Sequence, residues 1–214
     1  MLKQKCLGIA CSPRKQGNTE MLLKTAIQTL DSLGVETEII YLSELGYSPC
    51  LACEGCYKTG KCVIKDDAGF VFDKIVETDI LILAAPIFSM GICAQAKMLI
   101  DRAQQFWAAK HLLGRQVIVE KHVREKRRGI FISVAGTNLP GVFDGALRVI
   151  RYFFKMVEVR FVGSYCYPSI DKKGEILNHP WVFEEIAEAA RELVSPAGEK
   201  GSDIFADRNP HHQA

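Results

Sequence analysis

The sequence predicts one doubly wound α/β domain, with five parallel strands in the order 2-1-3-4-5 and helices on both faces of the sheet. Three observations predict it. Short, almost wholly apolar runs recur, such as 79–85 (DILILAA) and 129–135 (GIFISVA), and such runs are characteristic of strands buried on both faces of a parallel sheet. Stretches with apolar residues at helical spacing lie between these runs, the alternation expected of βαβ units with right-handed crossovers. Five strands favour this flavodoxin-like order over a six-stranded dinucleotide-binding sheet.

Each element follows from a local signal. Residues 6–10 (CLGIA) form a first strand that ends at Ser-Pro and Gly, the punctuation of a loop. From Thr19 onward, Met21, Leu22, Leu23, Ala26, Ile27 and Leu30 recur at helical spacing, and Gly34 is the stop signal. Residues 36–42 (ETEIIYL) make the second strand. Asp66 and Asp67 precede Phe70, Val71, Phe72, Ile75 and Val76, and an acidic pair suits the positive end of a helix dipole. The third strand is 79–85, the next helix 94–107, the fourth strand 129–135, a further helix 142–156, the fifth strand 159–165 and the last helix 181–193.

The chain has 214 residues, 48% hydrophobic and 24% charged. That suits one domain with a buried core, spanning 1–194, and leaves a polar, Gly- and Pro-punctuated tail at 195–214, expected to be mobile or to cross a partner subunit. The formal charge of +2 is too mild to require nucleic acid or an anionic membrane as a partner. No apolar run approaches the ~18 residues of a membrane span, and the N-terminal apolar stretch is too short for a signal-peptide core. The expectation is a cytoplasmic protein. In that compartment thiols stay reduced, so the eight cysteines are read as ligands, redox groups or core residues and not as a disulfide framework.

In doubly wound sheets ligands sit beyond the carboxyl ends of the strands, which directs attention to the loop after the first strand, CSPRKQGNTE. Ser12, Arg14, Gly17, Asn18 and Thr19 bring hydroxyls, a guanidinium, an amide and a flexible glycine to a helix N-terminus, a combination suited to a phosphate group. Neither the triphosphate nor the dinucleotide glycine spacing is present. The plainer alternative is that Asn18 or Thr19 caps the helix and Arg14 with Lys15 is a solvated turn. After the third strand, Pro86, Ser89 and Gly91 break the chain while Ile87, Phe88 and Met90 offer apolar cover for a flat ring, or else pack beneath the loop. Ala135, Gly136 and Thr137 form a third loop at the same edge, with a glycine that permits close approach.

The segment CLACEGCYKTGKC, inside the loop 47–66, places Cys50, Cys53, Cys56 and Cys62 in a Cys-x2-Cys-x2-Cys-x5-Cys pattern. A loop this compact can wrap one [4Fe–4S] cubane and give each iron one thiolate. Zinc is the rival, although its all-cysteine sites normally come as two separated knuckles; disulfide switching and idle thiols remain as further alternatives. Cys6, Cys11, Cys93 and Cys166 are isolated in apolar context and read as core or strand residues. The histidines, His111, His122, His179, His211 and His212, fall in no ligand or triad pattern.

Taken together, the SPRKQGNT loop, CLACEGCYKTGKCVIKDD, API and the AKMLIDR helix resemble the iron–sulfur flavoproteins of anaerobic archaea and bacteria, within the NADPH-dependent FMN reductase-like flavodoxins. The likeness thins after about Met156. It implies FMN bound through Ser12, Arg14, Gly17, Asn18 and Thr19, with its ring at Pro86, Ile87, Phe88, Ser89, Met90 and Gly91, and with Ala135, Gly136 and Thr137 beyond. It also implies a [4Fe–4S] cluster on the matching cysteines, a homodimer or homotetramer, and electron transfer with ferredoxin as a plausible donor and oxygen, peroxide or quinones as acceptors. No catalytic side chain is required. An NAD(P)H-dependent FMN or quinone reductase with accessory cysteines is the enzyme alternative, and a zinc-binding interaction module is the other. Cys11 stands where such proteins usually carry Gly, and Phe88 where many carry Tyr. The run 117–128 (VIVEKHVREKRR) is longer and more basic than the resemblance leads one to expect, and reads either as a solvated face or as a docking patch for an acidic electron carrier.

Overall fold

A computed structural model of the chain describes residues 3–194; the expected tail at 195–214 lies outside the described residues. Five strands, β1 (Lys5–Ala10), β2 (Glu36–Tyr41), β3 (Ile80–Ala84), β6 (Arg128–Val134) and β7 (Arg160–Tyr167), form one sheet in the order β2-β1-β3-β6-β7. Every pairing in it is parallel. This is the expected flavodoxin-like order. A separate antiparallel hairpin, β4 (Ile87–Phe88) and β5 (Gly91–Ile92), is inserted after β3. The helices are α1 (Asn18–Ser32), α2 (Gly55–Thr59), α3 (Asp67–Glu77), α4 (Ala94–Arg102), α5 (Gln104–His111), α6 (Lys121–Arg124), α7 (Asp144–Met156) and α8 (Pro180–Val194). Among the described residues no helix is long and apolar enough to cross a membrane.

The two-residue period of the strands divides the core. Leu7, Ile9, Leu81, Leu83 and Phe131 face one side and pack with Phe72, Leu99, Ile150 and Phe153 from α3, α4 and α7. Cys6, Ala10, Ile80, Ile82, Ile130 and Ile132 face the other and pack with Leu23, Ile27, Leu30, Ile186 and Leu193 from α1 and α8. Because successive side chains point to opposite faces, an apolar residue at every position is what two covered faces require. At Gly129 a Cβ would lie 2.1 Å from the Leu81 carbonyl oxygen and 2.6 Å from the Phe154 ring. Only glycine fits, and the β6–β7 ladder shifts register between Gly129 and Ile130.

Three expectations are adjusted. The single helix expected at 94–107 is broken at Ala103 into α4 and α5, which continues to His111. No Gly or Pro marks the break. It lets Phe106 meet Phe72 edge to face, with ring centroids 5.2 Å apart, so packing decides it. The fifth strand runs on to Tyr167. Within the basic run, Arg127 belongs neither to a solvated face nor to a docking patch: it is 1% exposed. Its guanidinium donates to the carbonyls of Thr78 at 2.8 Å and Val157 at 2.7 Å, and also to those of Ile75 and Glu158. It therefore closes the chain ends where α3 enters β3 and α7 enters β7. Burial pushes its pKa down to about 10, against the opposing pull of Glu158 and Asp79.

Arg127→Met should remove these donors and leave several carbonyls buried without partners, at a cost of about 3 kcal/mol or more. Urea denaturation checks this, and a loss below about 0.5 kcal/mol would show that the carbonyls find other partners.

Candidate functional site

At the carboxyl edge of the sheet, Cys11 N–H donates to the Ala84 carbonyl, Ala85 N–H to Ile132, Ala135 N–H to Tyr167 and Ile170 N–H to Ala135. These bonds draw the loops after β1, β3, β6 and β7 together. Ser12, Arg14, Gly17, Asn18, Thr19, Pro86, Ile87, Phe88, Val134, Gly136, Ile170 and Asp171 line one concavity between them. Ser89, Met90, Gly91, Ala135 and Thr137 do not line it. Ser89 (φ 48°) and Met90 (φ 63°) form the tip of the β4–β5 hairpin, both left-handed and neither glycine, a conformation that costs roughly 1–3 kcal/mol per residue.

The first loop is held in shape from within. Ser12 Oγ accepts from Arg14 N–H at 3.1 Å, and the Glu20 carboxylate accepts from Gln16 N–H at 2.6 Å across a left-handed Gln16. Gly17 is the N-cap of α1, and a Cβ there would lie 3.0 Å from the Arg14 carbonyl and 3.4 Å from Ser12 Oγ. Neither Asn18 nor Thr19 is the cap. Asn18 instead bridges to the loop after β7, donating to the Lys172 carbonyl at 2.9 Å and accepting from Ile176 N–H at 3.3 Å. Arg14 is exposed, and its Nη1 donates to the Asp171 carbonyl at 2.9 Å, which ties the side chain to the loop after β7. The carbonyl and one N–H of the Asn18 amide are engaged, which leaves its second N–H and its backbone N–H at the helix N-terminus for an anion. Cys11 is fully buried, with its thiol directed to the Ile9 carbonyl; it sits in the core without crowding the loop.

Val134, Ile170 and Asp171 also line the concavity and carry no binding motif in the sequence. Extending the fifth strand by two residues, to Tyr167, would have placed Ser169 to Asp171 at the ligand-bearing edge. The polar YPSID string carried no other signal.

The cysteine loop leaves the carboxyl end of β2 and returns at α3. Cys50 and Cys53 are exposed, Cys56 and Cys62 half-buried, all four as free thiols. Ala52 (φ 50°), Glu54 (φ 59°) and Gly60 (φ 75°) coil the backbone, and a Cβ on Gly55 would collide with Val63 at 2.6 Å. Gly60 packs on Ala109, and Tyr57 lies against Trp107 with centroids 6.2 Å apart. Cys62 N–H donates to Gln105 Oε1 at 3.1 Å. Both ends of the loop are clamped by Arg102, which is 2% exposed. It forms a bidentate pair with Asp66 at 2.8 and 3.0 Å, donates to the carbonyls of Ser48 and Ile64, and donates Nε–H to Cys62 Sγ at 3.2 Å. Asp66 also accepts from Ser48 N–H and caps α3 through Ala68 N–H.

Among the described residues no three His, Cys, Asp or Glu side chains converge closely enough to hold a metal ion. Burial pushes the Cys56 thiol up, a backbone hydrogen bond opposes the rise, and the neighbouring Cys62, Cys50 and Cys53 add to it. Four thiols in one short loop, one of them accepting from a buried guanidinium, are the donor set that a thiolate-ligated cluster would use.

The NADPH-dependent FMN reductase family matches residues 4–162. In fold, an NAD(P)H:quinone oxidoreductase from Methanothermobacter marburgensis superposes with a TM-score of 0.67, covering 92% of this chain and 99% of the other at 14% identity. The class is thus the NADPH-dependent FMN reductase family, with a flavodoxin-like sheet. An iron–sulfur flavoprotein of Archaeoglobus fulgidus is 34% identical over 161 residues, 75% of this chain and 68% of that protein. One of Methanocaldococcus jannaschii is 41% identical over 100 residues, 47% of this chain and 52% of the other, so the match spans about half of that relative. The chain belongs to the iron–sulfur flavoproteins within the NADPH-dependent FMN reductase family.

The Arg102 guanidinium holds the Asp66 carboxyl below the usual carboxylate range, with the Ser48 and Ala68 amides assisting and burial opposing. A depressed folded-state pKa stabilises above the unfolded value and is lost as pH falls through the folded one. Hydrogen exchange at the Ser48 amide, corrected for intrinsic rate, should therefore stay protected down to the ordinary carboxylate range and open below it. Asp66→Asn should lack that acid step; an identical profile in both proteins would rule out the clamp as its source.

Proposed function

We propose that the chain is an electron-transfer iron–sulfur flavoprotein. FMN occupies the concavity at the sheet edge, Cys50, Cys53, Cys56 and Cys62 ligate a [4Fe–4S] cluster, and electrons pass from a ferredoxin-like one-electron carrier to a small acceptor. The observation that carries the reading is the presence on one chain of an anion-suited cavity and a four-cysteine loop clamped by a buried arginine.

In this reading the domain is 1–194, with the cluster in 47–66. Ser12, Thr19 and the α1 N-terminus hold the phosphate, with Arg14 adding charge from its tether on Asp171. Gly17 keeps the loop open enough for close approach. Pro86, Ile87, Phe88 and Gly136 border the ring, with the β4–β5 tip and Ala135 and Thr137 around it. When bound, the cluster supplies single-electron transfer and FMN the exchange between one- and two-electron chemistry. The protein's contribution is binding, orientation and burial, and no acid–base side chain is invoked. The reading places the protein in the cytoplasm as a homodimer or homotetramer. The family description favours a second reading, in which NAD(P)H delivers hydride to the flavin and the cysteines are accessory.

Anaerobically purified protein is expected to contain about four iron and four acid-labile sulfide per chain, together with flavin. Serine at any of the four cysteines should lower the iron and spare the FMN. Zinc in place of iron, in a colourless protein, would sink the proposal. Anaerobic flavin bleaching that is fast with NAD(P)H and slow with reduced ferredoxin would decide for the second reading.

A further inference from the structure

We propose that Arg102 is a positioning residue for the cluster: it fixes the Cys62 sulfur and, through a single N–H···S bond, raises the reduction potential of the cluster ligated there. This rests on the reading that the four cysteines hold a [4Fe–4S] centre.

The geometry separates the arms of the guanidinium. Nη1 donates to Asp66 Oδ2 at 2.8 Å and the Ser48 carbonyl at 2.9 Å, and Nη2 to Asp66 Oδ1 at 3.0 Å and the Ile64 carbonyl at 3.3 Å. These four bonds orient the guanidinium plane and span both flanks of the cysteine loop. Nε–H is directed at Cys62 Sγ, 3.2 Å away. Five donors in a rigid fork are a property of arginine and not of lysine, whose ammonium carries the charge without the planar geometry. A guanidinium stays protonated in proteins, so the group is a cation beside this sulfur.

The four sulfurs are thereby unequal. Cys50 and Cys53 are exposed, whereas Cys62 has a guanidinium on its sulfur and Gln105 on its amide. With four thiolates, a [4Fe–4S] centre gains one negative charge on reduction, and a donor on a ligating sulfur stabilises the more negative form more strongly. Hydrogen bonds to cluster sulfurs and local charge are recognised determinants of potential. Because Asp66 offsets much of the guanidinium's net charge, the effect at Cys62 is carried mainly by the local N–H dipole. Arg102→Lys should therefore not reproduce it.

The test compares the parent with Arg102→Lys and Arg102→Gln, all purified anaerobically, with iron, sulfide and FMN quantified and the potentials read by EPR-monitored redox titration. The expected result is a lower cluster midpoint potential in both variants, with the FMN potential unmoved. Variants that keep their iron and have the parent's potential would overturn the proposal, since a purely structural brace leaves the potential where it is. If neither variant keeps iron, pulsed EPR of the reduced parent labelled with 15N-arginine decides: a nitrogen coupling to the cluster supports the bond, and none overturns it. A parent without iron and sulfide would overturn the cysteine reading itself, an outcome distinct from an iron-bearing parent whose variants do not shift.

Discussion

The structure depends on one constraint, a parallel sheet covered on both faces. Parallel pairing forces every crossover to return over a face of the sheet, so the central strands are shut off from water and are almost wholly apolar, the buried Ser133 donating to the Ala85 carbonyl. It also sends every strand's carboxyl end to one edge. The backbone bonds at Cys11, Ala85, Ala135 and Ile170 then weave the loops after β1, β3, β6 and β7 into a single rim. The cavity follows from that topology, and no single loop encloses it.

Against this frame, the two polar clamps solve different problems. Arg127 satisfies carbonyls at junctions where helices enter strands, in a place water does not reach. A buried cation without a carboxylate on its own nitrogens is expensive; here the carbonyl dipoles and the nearby Glu158 and Asp79 offset the cost. Arg102 has a carboxylate in bidentate contact and uses the pair to close a loop whose apolar side chains, Leu51, Tyr57 and Val63 among them, are exposed. Removing one partner of such a pair leaves the other charge uncompensated.

Much of this was legible in the sequence because it is written in periodicity. Strand and helix order, the location of the first loop and the cysteine spacing are local patterns that survive without the fold. The break at Ala103 is not local: no residue type signals it, and it exists because Phe106 and Arg102 have separate partners across the core. Arg127 is misread for a related reason. Charge in a run of charged residues looks solvated until tertiary structure brings four carbonyls to it.

The sequence by itself determined the flavodoxin-like class, the strand order and which loops meet at the sheet edge after the first, third and fourth strands of the sheet, because two-residue and helical periods are properties of neighbouring positions. Tertiary structure alone decided that Asn18 is spent on bridging to Lys172 and Ile176, that Asp171 and Ile170 complete the cavity, and that Cys62 receives a guanidinium. Each of these joins residues far apart in the chain through directional hydrogen bonds or packing. Such a pairing depends on where the folded backbone carries both partners, and no local pattern encodes it.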